Sequence, residues 1–172
     1  MNCFRFFTST KAQKQESAGC FFTDERHVLA GYQANKKVPT ICGIGGKIEG
    51  ESPHYAAIRE TLEELFHIQP PSNLILSIME TLPPKHTIVN DSYYIFVYSF
   101  IDLQTLLDIL ASYKISSPLF YTAPKDIFEL VSKRKIESSC EISHLALVPF
   151  VQNPVISKFL SSDMALIRAQ IN

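Results

Sequence analysis

The spacing of hydrophobic residues changes period along the chain. Ala18 to Thr23 and His27 to Gln33 are short apolar runs separated by Asp24-Glu25-Arg26, and they predict a β-hairpin. Thr40 to Ile44 leads into a glycine turn at Gly45-Gly46. The period then becomes helical: Tyr55, Ile58, Leu62, Leu65 and Phe66 share one face and should pack on a core. Ser52 can cap this helix, Pro53 suits its first position, and Pro70-Pro71 closes the segment, so a helix runs from Pro53 to about His67. Ala56 and Ala57 fall off the apolar stripe, where small side chains would leave room for a ligand.

Beyond the helix, Leu74 to Leu82 predicts a strand and Pro83 to Asp91 a loop. Ser92 to Ile101, rich in Tyr, Phe, Val and Ile, predicts a strand. Asp102 to Tyr113 reads as a helix capped by Asp102, with Leu103, Leu106, Leu107 and Leu110 on one face. A short strand at Leu119 to Thr122, a short helix at Asp126 to Arg134, a strand at Ile142 to Val148 ended by Pro149, and a helix from Val155 to about Ala169 complete the pattern. Strands and helices intermingle without a regular βαβ repeat. The expected class is α+β, a mixed sheet sandwiched between helices.

At 172 residues the chain is expected to form a single domain, residues 1–172, large enough for a real core. The net charge of −1 argues against a strong pull toward nucleic acid or membrane. No apolar run reaches membrane-spanning length. Met1 to Thr10 lacks a continuous apolar region, so no signal peptide is expected, and Lys11 to Ser17 reads as a polar loop. Cys3, Cys20, Cys42 and Cys140 have neither metal spacing nor a disulfide framework, which suggests reduced thiols in a cytoplasmic protein.

The polar side of the helix carries the candidate chemistry. Glu60, Glu63, Glu64 and His67 lie within an arc of about 100° on a helical wheel. Carboxylates at such spacing repel by a few tenths of a kcal/mol per pair. A hard divalent cation, Mg²⁺ or Mn²⁺, reverses that sign. Arg59 can lock a carboxylate with its planar fork. For His67, pairing with Glu63 or Glu64 outweighs a role beside a metal-bound water.

Gly45-x5-Glu51-x7-Arg59-Glu60-x2-Glu63-Glu64 resembles the signature box of the Nudix hydrolases. Three positions depart from the pattern. Thr61 stands where an apolar residue is usual. Phe66 replaces the glycine that ends the helix, followed by His67, so the helix should run about one residue longer, with Ile68 taking the apolar role. Read from Gly46, the turn is also one residue short.

The resemblance implies an α/β/α sandwich and Mg²⁺- or Mn²⁺-dependent cleavage of a nucleoside diphosphate linked to another group. It implies metal held by Glu60, Glu63 and Glu64 with a carbonyl near Gly45, and Arg59 orienting a box glutamate. Glu51 would support that arrangement, or reach metal through water, beside the substrate. Glu141, before the late strand, matches in position an acid that serves relatives as ligand or general base, and Glu80 is a rival. Tyr32 and Lys47 are candidate substrate contacts, and Tyr93, Tyr94 and Phe96 are weaker ones. Small nucleotides are the expected partners. Two alternatives stand: RNA 5′-cap hydrolysis, supported by the basic run Lys133-Arg134-Lys135, and a nucleotide-binding module that has lost catalysis.

Overall fold

A computed structural model describes residues 16–151 and 155–171. Expectations for Met1 to Thr10, most of Lys11 to Ser17, and Cys3 lie outside the described residues. The strands are β1 (Ser17–Thr23), β2 (His27–Gln33), β3 (Thr40–Cys42), β4 (Ile44–Lys47), β5 (His86–Asn90), β6 (Tyr93–Ser99) and β7 (His144–Pro149). The helices are α1 (Pro53–Phe66), α2 (Ser72–Thr81), α3 (Phe100–Ser112), α4 (Ile127–Ser132) and α5 (Lys158–Ile171).

Among the described residues the strands form one mixed seven-stranded sheet. β1 pairs parallel with β6 along its whole length and antiparallel with β4 on its other edge. The β1–β2 hairpin opens quickly, so β2 turns away and pairs with β7 and β3. Strand alternation sorts the core onto two faces. Ala18, Cys20, Phe22, Leu29, Ile44, Phe96, Tyr98 and Leu145 pack under α1 to α4. Phe21, Val28, Ala30, Ile88, Ile95, Val97 and Val148 pack under α5. The result is an α/β/α sandwich.

Several expectations are corrected. Leu74 to Thr81 is helical rather than extended, with Leu82 as its C-cap: Leu74, Ile75, Ile78 and Leu82 are buried at three- and four-residue spacing. Pro83 to Asp91 contains strand β5, paired antiparallel with β6 across a tight turn in which Asp91 adopts φ 57°. Only Ile88 of β5 is buried, as suits a sheet edge, so its apolar signal is weak. Leu119 to Thr122 forms turns, although Leu119 and Phe120 are buried. Ser99, not Asp102, is the cap of α3; Asp102 returns the bond and completes a capping box. β7 starts at His144 rather than Ile142, and α5 at Lys158 rather than Val155.

Gly45-Gly46 is not a turn. Both glycines lie in β4, opposite Gly19 and Ala18 of β1. The reversal follows at residues 48–51, before Ser52 caps α1. Ala56 and Ala57 are fully buried rather than facing a ligand space. Their small side chains let α1 approach the sheet closely.

Candidate active site

Helix α1 starts as its sequence suggests. Ser52 accepts a hydrogen bond from the Tyr55 amide, and Pro53 occupies the first turn. The helix packs over β1 and β4, which puts its acidic side against the glycines of β4.

Arg59 is the hub of that side. Its Nε and Nη2 donate to Glu51 at 3.1 and 2.9 Å. Nη1 donates to Glu60 at 2.9 Å and Glu63 at 3.0 Å, and Nη2 also reaches the Lys47 carbonyl at 2.8 Å. Only 16% of the side chain is exposed, so these charge-assisted bonds are shielded from water. The guanidinium is held charged well above its ordinary range despite burial, by Glu51, Glu60 and Glu63.

Glu64 points elsewhere. Its Oε2 accepts the Gly45 amide at 2.7 Å. Burial pushes its carboxyl up to about 8, against the Gly45 bond; Glu141 and then Glu60 add to the rise. Burial also raises Glu60, although Arg59 opposes the shift. Gly46 makes the close approach possible. A Cβ there would lie 2.3 Å from the Glu60 carboxylate, a space only glycine leaves open.

The structure therefore brings together Gly45, Glu51, Arg59, Glu60, Glu63 and Glu64. Glu141 belongs to the same neighbourhood: its charge acts on Glu64, while Oε1 accepts Gln33 Nε2 at 2.7 Å and pairs with Lys36 at 3.2 Å. Lys47 contributes its carbonyl to Arg59 and leaves its side chain exposed. Tyr32 is not brought to the acids. It sits beside His144, and alternation puts it on the α5 face, opposite Gly31 and Cys42. Tyr93 and Phe96 are held in packing, Phe96 against His54. Tyr94 reaches Glu16. Glu80 sits exposed on α2, not on a strand.

His67 leaves the acidic face. It is the exposed C-cap of α1 with φ 51°, one residue after the position where the pattern has glycine. The helix is thus longer by the residue expected, and Ile68 packs on the core. Thr61 fills its apolar position: it is fully buried, and its hydroxyl donates to the Ala57 carbonyl at 2.8 Å. The basic run is dispersed. Lys133 pairs with Glu129, Lys135 lies over the Tyr121 ring, and Arg134 turns inward. Arg134, Gln33 and Gly46 are neighbours of these acids or of Glu141 that the sequence reading did not assign to the site. Gly46 alone carried a signal, as the second residue of the glycine pair.

Hard oxygen donors on one helix face, a buried carboxylate raised by desolvation and a glycine cradle over Glu60 fit a divalent cation. No group of three His, Cys, Asp or Glu side chains is already converged for metal among the described residues, because Arg59 holds Glu60 and Glu63 to itself. Among the described residues no helix is long and apolar enough to cross a membrane.

A sequence profile of the NUDIX domain matches residues 13–126. The fold is similar to a bifunctional NMN adenylyltransferase/ADP ribose pyrophosphatase from Francisella tularensis, with TM-score 0.52, 11% identity, and coverage of 93% of this chain and 42% of that one. The same kind of protein from that organism, complexed with AMP and Mn ion, gives TM-score 0.50, 12% identity and coverage of 93% and 42%. A NUDIX-family hydrolase from Clostridium perfringens gives TM-score 0.41, 17% identity and coverage of 93% and 99%. The chain thus spans 42% of the length of the Francisella proteins. No curated protein matches the sequence. With the profile covering well over half of the residues and the box acids gathered around Arg59 and Gly45, the chain belongs to the Nudix family.

Proposed function

We propose that this protein is a Mg²⁺- or Mn²⁺-dependent pyrophosphohydrolase acting on a nucleoside diphosphate linked to another group. The observation that carries the reading is the pair of holds on one helix face: Arg59 fixing Glu51, Glu60 and Glu63, and Gly45 fixing Glu64. The neighbour complexed with AMP and Mn ion supports the choice of ligands.

Glu60, Glu63 and Glu64 would hold the cation, with the Gly45 carbonyl beside them. When bound, the cation polarises phosphoryl oxygens and lowers the pKa of coordinated water. The chain's own groups supply position and charge. Arg59 sets the orientation of two ligands and leaves neither free to wander. Glu141, held at Oε1 by Gln33 and Lys36, is the acceptor for a proton from the attacking water. The exposed Lys47 and the half-buried Glu51 border the substrate. Preorganised charge carries most of such a reaction.

The test is a panel of ADP-ribose, nucleoside triphosphates, nucleotide sugars and dinucleoside polyphosphates, with Mg²⁺ and with Mn²⁺, run beside Glu64→Gln. Turnover of at least one compound, abolished in a folded Glu64→Gln variant, is the expected result. Absence of turnover across the panel, with nucleotide binding retained, would identify a silent binding module instead. Glu141→Gln with unchanged kcat would remove Glu141 from the reaction.

A further inference from the structure

The end of α1 is unusual in how its carbonyls are satisfied. The last four carbonyls of a helix lack intrahelical partners. Here the Glu63 carbonyl accepts the His67 amide at 2.9 Å. The Phe66 carbonyl accepts the Ser117 hydroxyl at 2.5 Å. The two between them, Glu64 and Leu65, are taken by the single side chain of Arg134, Nη2 bonding the Glu64 carbonyl at 2.8 Å and Nη1 that of Leu65. A cation at a helix C-terminus also opposes the negative end of the macrodipole.

Arg134 does more than cap. The same Nη2 that holds the Glu64 carbonyl also donates to the Ile142 carbonyl at 3.0 Å. Ile142 follows Glu141 directly, and its side chain fills the space over Gly31 of β2, where a Cβ would come within 2.3 Å of it. The residue beside Glu141 is thereby fixed from two sides. One nitrogen ties the backbone of Glu64 to the backbone next to Glu141. A helix cap alone requires no such second tie. The guanidinium is committed so fully that its buried Nε has no partner among the described residues.

We propose that Arg134 is a positioning residue: it sets the register between the cation-holding end of α1 and the segment that presents Glu141. The inference rests on the proposed metal site. It also accounts for Arg134 lying inside a basic run while facing inward.

The test is Mn²⁺ binding to the full chain, followed by electron paramagnetic resonance, with kcat and KM measured alongside. Arg134→Lys keeps the charge but cannot span three carbonyls, and it is expected to weaken Mn²⁺ binding about tenfold. The fall in kcat should exceed any rise in KM. Ser117→Ala unties the Phe66 carbonyl and the Leu119 amide and should leave Mn²⁺ affinity within roughly twofold, since Ser117 bonds neither Glu64 nor Ile142. In a Glu141→Gln background, Arg134→Lys should cost less in kcat, because the proton acceptor it registers is gone. Wild-type affinity in Arg134→Lys, equal losses in Arg134→Lys and Ser117→Ala, or an equal fall in kcat on Arg134→Lys in both backgrounds overturns the proposal. If Arg134→Lys fails to fold, Arg134→Gln replaces it with the same expected results. Glu64→Gln separates the two readings: wild-type Mn²⁺ binding in that variant sinks the metal site itself, whereas lost binding there beside unchanged binding in Arg134→Lys sinks only this inference.

Discussion

The Glu64 carboxyl makes the stability of the metal-free protein depend on pH in a direction opposite to that of a salt-bridged acid. Burial raises it from its ordinary 4.5 to about 8. Between those values the folded chain keeps a proton that the unfolded chain has released, so stability falls as pH rises and levels off above about 8. The slope is at most about 1.4 kcal/mol per pH unit. Integrated to pH 7.5, the loss is about 4 kcal/mol, a large share of a typical domain's stability. Glu64→Gln keeps an oxygen for the Gly45 amide and cannot ionise. The variant should match wild type near pH 4.5 and melt roughly 10 °C higher at pH 8.5, in EDTA. Saturating Mg²⁺ should close that gap by stabilising wild type alone. The assay is thermal unfolding by circular dichroism across this pH range, with and without Mg²⁺. A wild-type-to-variant difference that stays constant with pH would refute the argument, because it would mean that Glu64 ionises in the folded protein as it does in water.

Three further substitutions test the site. Gly46→Ala puts a Cβ 2.3 Å from the Glu60 carboxylate, the far end of a flexible side chain that can swing away. Stability should change by less than about 2 kcal/mol while kcat/KM falls about 100-fold, read by thermal melts and steady-state kinetics. Arg59→Lys replaces a fork bonded to Glu51, Glu60 and Glu63 by a point charge, so kcat should fall roughly 10- to 100-fold and half-saturating Mg²⁺ should rise. Thr61→Val should leave kcat unchanged and alter stability by no more than about 1 kcal/mol in urea unfolding, since the lost hydroxyl bonds only within the helix and to the Cys20 thiol.

The box helix was legible because its signals agree with one another. Ser52-Pro53 sets the start, one apolar stripe sets the buried face, and Arg59, Glu60 and Glu63 share the other side. Legibility failed where a local signal was ambiguous or the decisive partner was remote. Leu74 to Leu82 is rich in Leu and Ile, which suit either strand or helix in a short run, and its packing against α1 decided for the helix. β5 buries only Ile88, so nothing in its alternation marked a strand until β6 supplied the ladder. Ala56 and Ala57 looked like free space because wheel position alone cannot show how near the sheet comes. Tyr32 is a candidate substrate contact from sequence, whereas alternation along β2 sends it to the α5 face.

The departures at the end of the box illustrate the same dependence on remote partners. A glycine there would let the helix close on itself with a left-handed residue and local amides. With Phe66 in that place, the side chain joins the core, the left-handed residue moves to His67, and only the Glu63 carbonyl is satisfied locally. The other three carbonyls become a debt met by Arg134 and Ser117, from segments far along the chain. Their recruitment ties the acidic helix to the last third of the protein, which also carries Glu141. A change that reads as a defect within the motif is therefore the reason that the motif is coupled to a segment outside it. Restoring the glycine by Phe66→Gly should not restore a simpler site: it would empty core volume beside Phe120 and cost about 3 kcal/mol or more, leaving Arg134 still bound to Ile142.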